Sequence, residues 1–129
     1  MSKFHDLVDK ICGSDRRYRP DAYEFIMQGL VFTQDKLKRK THVSGKELAQ
    51  GLRDYAVDQY GALASRVLSH WGINQTRDFG EIVYNMIEKK LLSKSEKDYL
   101  EDFNSVYDFN STFSNVLADT VDFNIPNKS

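Results

Sequence analysis

The chain has 129 residues, of which 40% are hydrophobic and 29% are charged, and its formal net charge at pH 7 is −1. This length and composition are typical of one globular domain, and they exclude wholesale disorder and fibrous repeats. No apolar run approaches the roughly 20 residues that cross a bilayer, and the N-terminal segment lacks the apolar core of a signal peptide. We therefore expect a soluble, cytoplasmic protein with no membrane partner.

The charges are unevenly distributed along the chain. Residues 1–46 contain ten Lys/Arg and six Asp/Glu, a net of +4, whereas residues 47–129 contain eight and thirteen, a net of −5. Such asymmetry indicates either a basic surface for an acidic partner or neutralisation of the basic half by the acidic half inside the fold. The sequence leaves both alternatives open.

Two helices are predicted in the N-terminal third. The first covers residues 3–12 and stops at Gly13; its apolar side chains recur at helical spacing and are Phe4, Leu7, Val8 and Ile11. The second begins at Pro20, a residue suited to the first helical turn, and runs to about Lys40. Gly29 either weakens this helix or permits a close crossing with a neighbour.

Two further helices are predicted in the centre of the chain. Ser44 and Glu47 have the spacing of a capping box, which predicts a helix start there, and Gly61 marks the end of that helix. A shorter helix is predicted over residues 63–71. Gly72 is the expected left-handed stop after it.

The fifth predicted helix has the cleanest apolar stripe in the chain. Thr76 is its predicted N-cap, and it runs to Leu91. The stripe is expected to be buried, and Trp71 to be buried in part; its residues are Phe79, Ile82, Val83, Met86 and Ile87.

Beyond residue 92 the pattern supports two structures. Ser93 and Glu96 again match a capping box and indicate a helix, but the segment 92–109 also fits two strands joined by a polar turn. The hairpin is the favoured prediction. A last short helix is indicated by Phe109, Phe113, Val116 and Leu117, and the tail 124–129 is expected to be loose.

This order of elements predicts the fold class. Three successive helices followed by a hairpin suggest a helix-turn-helix with a wing. We therefore predict a mainly α single domain over residues 1–129, with a winged-helix-like core at 20–110 and an N-terminal helix within 1–13.

No catalytic or metal-binding pattern emerges from the sequence. The histidines and the cysteine, namely His5, Cys12, His42 and His70, lack the short paired spacings of a metal site. Cys12 lies on or beside the apolar face of the first helix, which indicates burial rather than nucleophilic catalysis. The glycine-rich loops that cradle phosphates are also lacking. We expect neither enzymatic activity nor a cofactor.

The outer face of the fifth helix is the predicted partner-binding surface. Its residues are Arg77, Glu81, Tyr84, Asn85 and Glu88, and together with Asp78 they carry a net charge of −2. Phosphate repulsion would oppose DNA binding at this helix, so a protein partner fits its charges better. The favoured function is therefore a protein-interaction or regulatory module with a partner that the sequence does not identify.

Nucleic-acid binding through basic clusters is the alternative. One cluster consists of Arg16, Arg17, Tyr18 and Arg19, and the other of Lys36, Lys38, Arg39, Lys40 and Lys46. Both could meet phosphates, and the ring of Tyr18 could stack on an unpaired base.

Several spaced phrases resemble a small bacterial protein family found chiefly in planctomycetes, verrucomicrobia and related groups. They cover about residues 18–110 and read YRPDAYEFIMQGL, THVSGKELAQGLRDYA and WGINQTRDFGEIVYNMIEKKLLSKSEKD, followed by DF and YDF. The resemblance supports a stand-alone cytoplasmic domain and brings no catalytic residue with it.

Overall fold

A computed structural model describes residues 3–39, 43–92 and 100–113, and in these ranges the chain is mainly helical. The α-helices are α1 (Lys3–Ser14), α2 (Pro20–Leu37), α3 (Gly45–Tyr60), α4 (Ala64–His70) and α5 (Thr76–Glu88). Short 3₁₀ turns occupy Gly61–Leu63 and Leu100–Phe103, and residues 109–113 are helical. None of the helices in these ranges is both long enough and apolar enough to cross a bilayer.

Helix α2 begins at Pro20 as predicted but ends three residues before the predicted Lys40. Lys38 adopts a left-handed conformation with φ 58°, and the backbone N–H of Arg39 donates to the carbonyl of Gln34 at 2.9 Å. This cap satisfies a carbonyl of the last turn, which explains why the helix ends there.

The capping box predicted for α3 is confirmed. The backbone N–H of Glu47 donates to the Ser44 hydroxyl at 3.1 Å, and the Glu47 carboxylate accepts from the backbone N–H of Ser44 at 3.0 Å. Two N-terminal donors of the helix are thereby satisfied reciprocally.

Helix α4 ends at a left-handed glycine, as the sequence predicted. Gly72 has φ 97°, which a side chain would disfavour, and the N–H of Ile73 reaches back to the carbonyl of Leu68 at 2.8 Å. Ile73 is completely buried, so the chain folds back on the preceding turn.

The prediction that Thr76 is the N-cap of α5 is wrong. Gln75 holds that position, and the Asp78 carboxylate accepts from the backbone N–H groups of Asn74 and Gln75 at 2.8 and 3.2 Å. Thr76 is the first helical residue, 1% exposed, and its hydroxyl accepts from the N–H of Val106 at 3.2 Å. The threonine therefore fastens a later segment to the helix, a contact that local sequence does not reveal.

Helix α5 lies at the centre of the packing. It contacts α1, α2, α3 and the turn Leu100–Phe103, while α2 packs mainly against α3. The predicted stripe is buried at Phe79, Ile82, Val83 and Met86. Ile87 was also predicted to be buried but is only partly so, because it lies at the edge of the contact; Trp71 is half-buried, as expected.

The β-hairpin predicted after residue 92 is not seen. The described ranges contain no strand, and residues 100–103 form a 3₁₀ turn where the second strand was expected. Phe103 is buried in the core shared with α5, so side-chain packing rather than strand pairing holds this turn against the helix. Residues 93–99, the last part of the predicted final helix and the tail 124–129 lie outside the description.

Candidate functional site

The first basic cluster is largely occupied by contacts within the chain. Arg17 donates to Asp15 at 2.6 Å, which holds the pKa of Asp15 well below its usual range, and it also reaches Glu81 at 3.4 Å. Arg19 donates through Nε to the carbonyl of His70 at 3.2 Å and so caps α4. Arg16 is exposed and makes no ion pair with another described residue.

Tyr18 cannot stack on an unpaired base in this fold. Its side chain is 3% exposed, and its hydroxyl donates to Asp78 Oδ1 at 2.6 Å. The prediction for this ring is therefore wrong, because the ring packs in the core and its polar end is satisfied at the start of α5.

In the second basic cluster, some cations form ion pairs within the chain and others form none. Lys36 donates to Asp54 at 2.6 Å, and Arg39 donates to Glu47 at 2.6 Å. Lys38 and Lys46 are exposed without an ion pair to the described part of the chain, and residue 40 lies outside it.

Several predicted partner-binding residues on the outer face of α5 are engaged in contacts within the chain. Glu81 is held between Arg17 and Arg77, and Arg77 also donates to Asn104 at 2.9 Å. Asn85 points inward and donates to Asp15 at 3.0 Å and to the Tyr23 hydroxyl at 3.1 Å.

Two α5 side chains are exposed without a contact to another described element. Tyr84 is 48% exposed, and its hydroxyl bonds to the exposed Glu88, which raises the pKa of Tyr84. Of the predicted partner-binding residues, only this pair is presented outward without being committed to another element.

A row of aromatic rings crosses the surface formed by α2, α3 and α4, and we call it the aromatic row. Its successive ring contacts have centroid distances of 5.2, 5.4, 5.7 and 5.9 Å. In order, the rings are Phe32, Tyr55, Phe25, Trp71 and Tyr60. Phe25, the central ring of the row, is buried, and the other four rings are partly exposed.

An acidic stripe runs beside the aromatic row on the solvent side of α2. Its residues are all exposed and follow the alternating spacing of three and four that marks one helix face: Asp21, Glu24, Gln28, Val31 and Asp35. Val31 within this stripe is 54% exposed. The surface therefore combines apolar and aromatic area with three carboxylates.

The sequence interpretation missed this surface. It predicted only that Trp71 would be buried in part, because periodicity marks an apolar face without showing which part of that face a neighbour covers. The signal available in the sequence was the helical spacing of Asp21, Glu24 and Asp35, which marks one polar face of α2. The row itself requires three helices and is not visible in any one of them.

Two depressions lie near these elements. A groove of about 480 Å³ between α2, α3 and residue 112 has Phe32 and Val57 among its lining residues. Arg53 and Lys36 also line it, and both pair with Asp54. A second cavity of about 310 Å³ lies between the start of α5 and residues 105–110 and is mainly polar.

Neither an activated Cys12 thiol nor a metal-binding cluster is seen in the described residues. Burial, followed by the charges of Asp9 and Asp15, raises the pKa of the Cys12 thiol and so disfavours its nucleophilic form. No group of three or more His, Cys, Asp or Glu side chains in those ranges could hold a metal ion.

Comparison of the chain with protein-family models, with curated proteins and with solved structures gave no match. The surfaces described above are therefore the basis for inferring its function.

Proposed function

We propose that this chain is a non-catalytic, cytoplasmic protein-interaction module that binds its partner through the aromatic row and the acidic stripe. The observation that carries this proposal is the partial exposure of four neighbouring rings beside the exposed Val31. Aromatic side chains are enriched at protein interfaces, where they contribute much of the binding energy.

The helix-turn-helix interpretation belongs to the same proposal. It is supported by the succession of α3, the short α4 and α5, with the tight turn at Gly72 between the last two. In this arrangement α5 is the structural centre, and the partner binds on α2, α3 and α4.

Nucleic-acid binding is the weaker alternative. Arg17, Lys36 and Arg39 are paired with carboxylates, and this pairing reduces their attraction for phosphate. The cations that remain unpaired within the described ranges are scattered over different elements, whereas a phosphate-tracking surface requires them to be clustered.

A displayed library of protein fragments tests the proposal directly. Fragments selected on the wild-type chain should bind at least about tenfold more weakly when Val31 is changed to Asp, since Val31 is an exposed apolar side chain within the acidic stripe. Tyr84→Asp is the matched control, because Tyr84 is a similarly exposed apolar residue on α5. Circular dichroism would verify that all variants remain folded.

Two other outcomes would change the proposed binding surface or the proposed function. Loss of binding only in Tyr84→Asp would place the partner on α5. Labelled DNA and RNA should bind no more tightly than the non-specific range of about 10⁻⁴ to 10⁻⁶ M near physiological salt. Submicromolar nucleic-acid binding that Arg16→Ala and Lys38→Ala abolish would overturn the proposal.

A further inference from the structure

We propose that Tyr60 and Trp71 together form a binding site for a Lys or Arg side chain of the partner protein. This inference rests on the proposed function and specifies its chemistry: the partner segment is cationic, and it inserts one positive side chain between the aromatic row and the acidic stripe.

The ring geometry suits a cation. Tyr60 and Trp71 meet edge to face, with centroids 5.9 Å apart and an interplanar angle of 81°, and both remain partly exposed. Buried Phe25 lies behind Trp71 at 5.7 Å and supports its ring. Two nearly perpendicular rings form a corner in which a cation can approach a ring face within the roughly 6 Å that cation–π attraction requires.

Other rings of the chain already have their own cation. Arg17 lies over Tyr18 at 5.1 Å, and two further pairs, Lys36 with Phe32 and Arg53 with Tyr107, have distances of 5.7 and 5.8 Å.

The Tyr60–Trp71 corner has no such occupant. Within the described ranges no Lys or Arg of the chain lies over either ring. Arg19 approaches this end of the molecule, but its Nε is engaged with the carbonyl of His70. The corner is therefore left to an external cation.

Carboxylates supply the complementary charge. Asp21 and Glu24 are exposed on α2, and neither has an ion-pair partner among the described residues. The pKa of Tyr60 is raised first by burial, then by Tyr55 and by the negative charges of Asp21 and Glu24. These two carboxylates are therefore close enough to Tyr60 to act on it electrostatically, and they would repel phosphate.

Trp71 is the only tryptophan of the chain, so its fluorescence reports on this site alone. The probe is a short alanine-based peptide carrying arginine and lysine, and its neutral counterpart has citrulline and norleucine in their place. We expect the cationic peptide to produce a saturable change in Trp71 emission and the neutral peptide to produce none.

Charge variants of the full chain identify the site. Glu24→Lys should weaken the cationic peptide by about fivefold or more, because attraction beside the rings becomes repulsion. Glu88→Lys makes the same change in net charge on α5 and should leave the affinity within about twofold. Tyr60→Leu, measured by anisotropy of a labelled peptide, should weaken binding by about threefold or more, since it removes a ring but keeps an apolar side chain.

Three results would overturn the inference: equal binding of the two peptides, equal weakening by Glu24→Lys and Glu88→Lys, or no response of Trp71. If selected fragments bind the Val31 surface but tolerate Glu24→Lys, the cation site fails while the interaction function stands. If they lose binding only through Tyr84→Asp, the proposed surface itself is wrong.

Discussion

Glu47 shows how much a single side chain does at the start of a helix. It accepts from the N–H of Ser44 and from Arg39, and these contacts, Arg39 first, lower the pKa of Glu47 to about 2. The folded-state pKa lies below the ordinary value of 4.5. The stabilisation is therefore fully present well above pH 4.5 and is lost as the pH falls toward about 2.

Glu47→Gln should consequently have a pH-dependent effect. At pH 7 the substitution should lower the free energy of unfolding by about 0.5–1 kcal/mol, a modest value because the ion pair is solvent-exposed. The difference from wild type should shrink as the pH approaches 2. Urea unfolding at several pH values measures this. Ser44→Ala is the control: it should cost about 1 kcal/mol with little pH dependence, because the hydroxyl does not titrate.

A pH-independent loss in Glu47→Gln would mean that the carboxylate charge does not contribute.

At the scale of elements, the α2–α3 crossing depends on small residues. A Cβ at Gly29 would overlap Leu52, and a Cβ at Gly51 would overlap Thr33. Thr33 is 2% exposed and donates to the carbonyl of Gly29 at 2.7 Å. The close crossing that the sequence offered as one explanation of Gly29 is therefore confirmed.

Gly51→Ala should destabilise the protein although alanine favours helices. Alanine improves helix propensity by about 1 kcal/mol, but overlap with Thr33 should cost more and give a net loss of about 1–3 kcal/mol in thermal or urea unfolding. Thr33→Ala in the same chain should recover part of the loss. Gly13→Ala is the matched control, because no heavy atom lies within 4 Å of the added Cβ and the change should be neutral or stabilising.

Equal effects of the two glycine substitutions would contradict the close crossing. So would the absence of any recovery when Thr33 is truncated, because the overlap involves that side chain.

At the scale of the molecule, ion pairs join the basic and acidic halves of the chain. Arg17 pairs with Glu81, Lys36 with Asp54 and Arg39 with Glu47. Each is exposed and contributes little stability alone. Together they neutralise part of the charge asymmetry along the chain, which favours the internal-neutralisation alternative that the sequence left open without excluding the other.

The stability of the whole fold depends on the apolar core around α5. Ile82 is completely buried, so Ile82→Ala should lower the free energy of unfolding by about 2–5 kcal/mol in urea denaturation. Val31→Ala is the control, since Val31 is 54% exposed and its truncation should cost less than about 0.5 kcal/mol. Similar losses in the two variants would contradict the central position of α5.

The sequence by itself determined helices α1 to α5 and some of their local ends. Pro20, the Ser44–Glu47 capping box and Gly72 act through contacts within a few residues, so composition and spacing are sufficient to place them. The buried stripe of α5 was equally legible, because periodicity reports which face of a helix is apolar.

Only the tertiary structure decided which polar groups are used and which surface is free. The Thr76 hydroxyl accepts a hydrogen bond from Val106, thirty residues away in the chain. The Asn85 amide donates hydrogen bonds to Asp15 and Tyr23. The aromatic row likewise exists only because three helices bring their rings together. The physical reason is that hydrogen-bond partners and burial depend on long-range packing, whereas local patterns specify only conformation and the apolar face.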